Sequence, residues 1–179
     1  HERTMNMEIE GHEFFSHDGK TVWYDLQTPR STVFWLAGVN LETGQRTWYN
    51  LKREEWSVHY NISPDGKLFA GDGGYPGSVA ARGPDGEIIQ PPAQGQWIYL
   101  FRPVMVRGSS FRNRPLIDTG FLKSERLVSM AKHNYSKTTG VEPNLTFTPD
   151  GKWIIFSGNF HSPQINGKSV THVYAVEIA

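Results

Sequence analysis

Histidine, carboxylate and amide side chains stand ahead of the same reverse-turn signature at three places in this chain. His12 precedes Ser16-His17-Asp18-Gly19-Lys20, His59 precedes Ser63-Pro64-Asp65-Gly66-Lys67, and Glu142 and Asn144 precede Thr148-Pro149-Asp150-Gly151-Lys152. Imidazole changes its protonation near neutral pH, and carboxylate and amide oxygens accept hydrogen bonds and bind hard cations. Residues of these types, brought to one place, could move a proton or hold an ion. In each copy a strand enters, the chain reverses at Asp-Gly and a second strand leaves, so the polar groups fall at the same end of each repeat.

Local chemistry accounts for the turn. Asp-Gly between runs of apolar, aromatic and β-branched residues is a strong hairpin signal, because glycine accepts the positive φ of a tight reversal. Proline before the aspartate presets φ for the bend. The bulk composition sets further bounds. With 18 Lys+Arg against 18 Asp+Glu, the chain lacks the basic excess of a nucleic-acid platform, so no nucleic acid is expected as a partner. No apolar run approaches the roughly 20 residues that span a bilayer, so no membrane partner is expected either. The absence of cysteine excludes disulfides and thiolate metal sites but does not fix the compartment. No signal-sequence pattern opens the chain, and residues 1–10 read as the tail of an earlier unit.

Taken in order, the chain reads as repeated strand units. After the first hairpin, residues 31–40 (STVFWLAGVN) and 45–50 (QRTWYN) form two further strands around an Asn-x-x-Thr-Gly turn. In the second unit, residues 80–96 read as a loop with its own Pro-Asp-Gly turn, and residues 97–106 as a strand whose Pro103 suits an edge. Residues 107–126 mix basic residues with loop formers, and residues 127–132 form an outer strand. In the third unit residues 160–169 read as a loop and residues 170–178 as a half-buried strand. No segment carries a convincing helical period. Units of about 40–50 residues match the blade period of β-propellers, built from four-stranded antiparallel blades. The expected architecture is all-β: a partial β-propeller over residues 1–179, with blades at about 11–56, 57–137 and 138–179. The N-terminal blades and the closing strand are expected to come from elsewhere, in the same chain or another.

Gly11-His12-Glu13-Phe14-Phe15 with Asp18-Gly19, then His59 with Gly71-Asp72-Gly73, then Ala131-Lys132-His133 and Phe147-Thr148-Pro149-Asp150, together resemble the C-terminal portion of the oligogalacturonate lyases. That family is a seven-bladed β-propeller of pectin breakdown, and the resemblance covers its last three blades. It implies a lyase that removes the C5 proton of a uronate in an oligosaccharide and expels the 4-linked sugar by β-elimination. Such a proton is acidic enough only when a metal ion or an arginine neutralises the neighbouring carboxylate.

By this resemblance His12 matches the catalytic base and His59 a manganese ligand. The family's other ligands lie in a Gln-x-x-His-Pro-His pattern. Here Thr139 stands for the glutamine, and Glu142 and Asn144 stand for the two histidines around Pro143. A set of His59, Glu142 and Asn144 suits Mn²⁺ first, with Ca²⁺ or Mg²⁺ as alternatives. Arg30, Arg82 and Lys132 are the cations on offer for a uronate carboxylate, Arg30 foremost because its loop follows the hairpin of His12. Trp56, Tyr60 and Tyr75 could stack on sugar rings, and His133 could line the same channel. The remaining tryptophans, Trp23, Trp35, Trp48, Trp97 and Trp153, are expected between blades. The other reading of the same residues is a non-catalytic propeller that binds carbohydrate or protein. An amidohydrolase or protease has little support, since no serine-nucleophile motif such as Gly-x-Ser-x-Gly occurs.

Overall fold

The computed structural model describes residues 9–27, 34–74, 81–82, 88–90, 97–106, 117–134 and 141–178, with the backbone alone at 9–11, 81–82 and 88–90. The described residues are strands and turns, with one short 3₁₀ turn at Arg53–Glu55. The first unit holds β1 (Ile9–Phe15), β2 (Thr21–Gln27), β3 (Phe34–Asn40) and β4 (Arg46–Leu51), each antiparallel to the next. The second holds β5 (Tyr60–Ile62), β6 (Phe69–Gly71), a small hairpin β7 (Ala81–Arg82) and β8 (Ile88–Gln90), then β9 (Trp97–Val106) and β10 (Ile117–Ser129). In the third, β11 (Thr146–Phe147), β12 (Trp153–Gly158) and β15 (His172–Glu177) form a sheet. The short hairpin β13 (Gln164–Ile165) and β14 (Lys168–Ser169) is inserted before β15.

The three reversals repeat one hydrogen-bond pattern. The Ser16, Ser63 and Thr148 hydroxyls donate to Asp18, Asp65 and Asp150 at 2.6, 2.7 and 2.6 Å. The same carboxylates accept the amides of Lys20, Lys67 and Lys152 at 3.0–3.1 Å. Gly19, Gly66 and Gly151 sit at φ of 70°, 73° and 70°, the left-handed region that the Asp-Gly signature requires.

Three segments differ from the sequence reading. β10 begins at Ile117, well inside the stretch read as loop formers, because its first residues pair parallel with β4 (Ile117↔Arg46 to Phe121↔Asn50) and antiparallel with β9. That pairing joins the first two units into one eight-stranded sheet, in the order β1-β2-β3-β4-β10-β9-β6-β5. The stretch at 160–169 contains a hairpin, turned by Asn166 (φ 52°) and Gly167 (φ 75°), the Asn-Gly pair that favours such turns. Part of residues 80–96 likewise pairs as β7 and β8. Pro103 stays at an edge: it pairs with Leu122 on one side, while β6 reaches β9 only from Tyr99 to Phe101.

The core follows from the two-residue period of strands. Phe69, Tyr99 and Phe101 point into a cluster with Trp23, Phe34, Leu36, Tyr49 and Tyr60. Their neighbours Ala70, Ile98 and Leu100 point the other way, into a cluster with Met130, Phe147, Ile154 and Phe156. β6 and β9 are therefore buried on both faces, as an element packed between two neighbours must be. Trp23 fills the first cluster as expected, stacked on Tyr49 at 5.9 Å and edge-on to Phe69 at 4.8 Å. Trp153 instead keeps more than a third of its surface exposed. The initial strands β1 and β11 both lie against β5, which brings the residues that precede the three turns to one place.

Candidate active site

His12 is aimed by a defect in its strand. Gly11 pairs with Asp25 and Phe14 with Trp23, so His12 and Glu13 together face the single residue Tyr24. This is a β-bulge, with His12 at φ 55°. The imidazole turns toward His59, their ring centroids 4.9 Å apart and their planes nearly perpendicular at 80°. His12 Nδ1 lies 3.6 Å from Oδ1 of Asp25, a carboxylate with 5% of its side chain exposed against 44% for the histidine.

His59 is held from behind. Its backbone N–H donates to Asp72 Oδ1 at 2.8 Å and its Nδ1 bonds Oδ2 of the same carboxylate at 2.7 Å. With Nδ1–H donating to a carboxylate, Nε2 is the nitrogen that faces the site, and Glu142 Oε2 stands 3.7 Å from it. The chain reaches this geometry through the Gly-Asp-Gly exit. A Cβ on Gly71 would collide with the Ser57 hydroxyl and with Phe101, and Gly73 sits at φ 71°. Gly73 N–H also donates to Ser57 Oγ at 3.0 Å, which pins the loop that carries Asp72.

The charge state follows from this surrounding. Burial pushes the His59 imidazolium down, but the hydrogen bond and charge of Asp72, then the charges of Glu142 and Asp25, outweigh it and leave the pKa raised. Burial raises the Asp25 carboxyl from 3.8 to about 6, against the opposing pull of His12. Asp25 Oδ1 and the Trp56 indole N–H are both buried and neither has a partner within full hydrogen-bonding geometry, yet the indole and His12 stand close enough to pull the carboxyl back down against its burial.

His12, His59 and Glu142 are thus brought together. Asn144 sits beside them in sequence at φ 46°, but its amide donates to the Glu142 carbonyl oxygen at 3.3 Å, a local contact that leaves His59 to Glu142. Two other expected residues have different employment. Trp56 is buried in the first core cluster, so its ring packs protein and presents no platform to a sugar. His133 is buried with both ring nitrogens engaged, Nε2 on the Val141 carbonyl at 3.0 Å and Nδ1 on the Asn159 N–H at 3.2 Å, and burial lowers its pKa. It ties the loop before β11 to the end of β12 and is not free to meet a substrate. Tyr60 is buried, its hydroxyl accepting the Ser57 N–H at 2.9 Å, while Lys132 is exposed. Arg30, Tyr75 and Thr139 lie outside the described residues, and Arg82 is described by its backbone in β7 alone.

Asp25 and Asp72 are the residues that the sequence reading passed over as functional. A signal was present: His12 and Asp25 are thirteen residues apart, the same separation as His59 and Asp72. In the third repeat the corresponding residues are Asn144 and Ser157, which form no ionisable pair.

Two atoms that share an ion at about 2.1–2.2 Å stand about 3.0–3.7 Å apart, so His59 Nε2 and Glu142 Oε2 could both touch one. Among the described residues, however, no group of three or more His, Asp or Glu side chains gathers in a metal-holding arrangement, and the Asn144 amide nitrogen is engaged by the Glu142 carbonyl. One imidazole and one carboxylate do not by themselves fit a manganese centre.

No known family profile matches the chain, nor does any curated protein sequence. Solved structures do. An oligogalacturonate lyase in complex with manganese superposes with a TM-score of 0.62 at 18% identity, over 96% of this chain and 36% of that one. The oligogalacturonate lyase of Vibrio parahaemolyticus gives 0.63 at 17% identity, over 100% of this chain and 38% of its own. The chain therefore spans little more than a third of the length of either lyase. At that identity the likeness is one of architecture, and the fold of this chain is the all-β propeller fold of the oligogalacturonate lyases.

Proposed function

We propose that this chain carries the proton-abstracting part of a lyase acting on uronate-containing oligosaccharides. The observation that supports it best is the half-exposed imidazole of His12, aimed by a bulge across the face of His59 and backed by a buried carboxylate. In this reading His12 Nε2 takes the C5 proton of the uronate, and the C5–H electron pair moves toward the sugar carboxylate. The pair then forms the C4–C5 double bond as the C4–O bond breaks, and the departing sugar oxygen takes up a proton. A neutral imidazole is suited to the first step near pH 7. His59 borders the reacting face, its orientation fixed by Asp72.

The carboxylate of the substrate needs a positive partner while charge builds on it. The described donors do not fit a resident metal. Arg30, which follows the hairpin of His12 in the sequence, is the side chain proposed for that role.

The experiment is an ultraviolet absorbance assay for the C4–C5 double bond on a panel of uronate oligosaccharides, run after chelation and again with added Mn²⁺. Product after chelation that Arg30→Ala removes supports the reading as stated. Product only with Mn²⁺ removes Arg30 from the role and calls for donors beyond His59 and Glu142. No product in either condition sinks the lyase reading and favours a carbohydrate- or protein-binding propeller.

A further inference from the structure

The carboxylate of Asp25 stands out as a buried charge whose use the reaction above does not explain. Its Oδ1 has no hydrogen-bond partner, although buried polar atoms in folded proteins almost always find one. His12 Nδ1 faces it at 3.6 Å, just beyond bonding distance, and the Trp56 indole beside it is equally unpartnered. The other histidine of the site shows the closed form of the same arrangement. His59 and Asp72 stand at the same sequence separation and are bonded at 2.7 Å.

We propose that Asp25 is a positioning residue for His12: a small turn of the imidazole closes the 3.6 Å gap, Oδ1 accepts the Nδ1–H, and Nε2, bare of its proton, is left turned to the face shared with His59. This inference rests on the proposed role of His12 as the base. The β1–β2 register supports it, because it sets Asp25 opposite Gly11 and the bulge carries the next residue over the carboxylate. A carboxylate so placed holds the imidazole in one tautomer and stabilises the imidazolium that forms when the proton arrives. Free imidazole side chains favour the opposite tautomer, with the proton on Nε2, so the preference is measurable.

The test is nitrogen-15 NMR of the histidine side chains at a pH where His12 is neutral, with the His12 signals assigned by their loss in His12→Gln. In the parent, Nδ1 is expected to carry the proton and Nε2 to be bare. In Asp25→Asn the Nε2–H tautomer should become populated, and kcat for unsaturated product should fall on the order of 10²–10⁴-fold with KM changed little. A parent spectrum with the proton on Nε2 overturns the proposal without any variant, as does an Asp25→Asn protein with unchanged tautomer and kcat. Should Asp25→Asn fail to fold, the parent spectrum and Asp25→Glu, which restores a carboxylate, decide the question. A tautomer that depends on Asp25 in a protein that makes no unsaturated product leaves the positioning intact and removes the lyase reading instead.

Discussion

Replacing Asp25 by asparagine should make the protein more stable at neutral pH while disabling the site. Burial lifts the Asp25 carboxyl from 3.8 to about 6, a difference worth about 3 kcal/mol between its neutral and ionised forms. Folded Asp25 holds its proton to higher pH than the unfolded chain does, so between pH ~4 and ~6 the folded state binds more protons. Stability therefore falls as pH rises through that window, and above it the whole penalty of a buried, ionised carboxylate is present. Asparagine has nearly the same shape and no charge. The variant should exceed the parent by about 1–3 kcal/mol at pH 7.5, the lower figure allowing for an imperfectly bonded amide, and the two should converge near pH ~4. His59, whose pKa is also raised, contributes stability below its usual 6.5 that is lost at higher pH. Asp25 is the last and smallest of the charges that raise the His59 pKa, so the difference between the two proteins is dominated by Asp25 itself and carries a minor change at His59. Urea unfolding followed by tryptophan fluorescence across this range measures it. A variant less stable than the parent at pH 7.5, or a difference that does not change with pH, would refute the reasoning. Gain of stability with loss of activity is the pattern expected where a folded protein keeps a strained group for function.

Other consequences can be checked in the same protein. His12→Ala should abolish formation of the unsaturated product and leave the fold unchanged by circular dichroism, since the ring is nearly half exposed; retained activity would remove His12 from the role of base. Asp72→Asn should lower the pKa of His59 in an NMR titration and reduce stability by ~1.5–3 kcal/mol, the worth of a hydrogen bond to a charged group. An unmoved His59 titration would show that Asp72 is not what raises it. Gly66→Ala meets open space and suffers only the left-handed backbone, about 1–2 kcal/mol. Gly71→Ala drives a methyl into Ser57 and Phe101 and should cost more, with the His59–Asp72 pair displaced; equal losses at the two positions would contradict the packing described around the Gly-Asp-Gly exit.

What the sequence determined by itself is what a few neighbouring residues can decide. The Ser/Thr-x-Asp-Gly-Lys turns were legible because every bond in them closes within five residues, and the glycine conformation follows from its lack of a Cβ. The all-β character, the repetition of strand units and the placement of His12, His59 and Glu142 ahead of like turns followed from the same local signals. Long-range pairing decided the rest. The start of β10 could not be read from its polar alternation, because its first residues pair with β4, far away in the chain, before β9 takes up the rest of the strand. Trp56 and His133 were open to a role in the site as well as in the framework until packing buried one ring and engaged both nitrogens of the other. Asp25 looked like an ordinary polar residue of a strand; only the β1–β2 register and the bulge over it set its carboxylate behind His12. The low-dielectric interior that gives a buried carboxylate its raised pKa, and His59 its attendant acids, comes from three units converging, and no single unit supplies it.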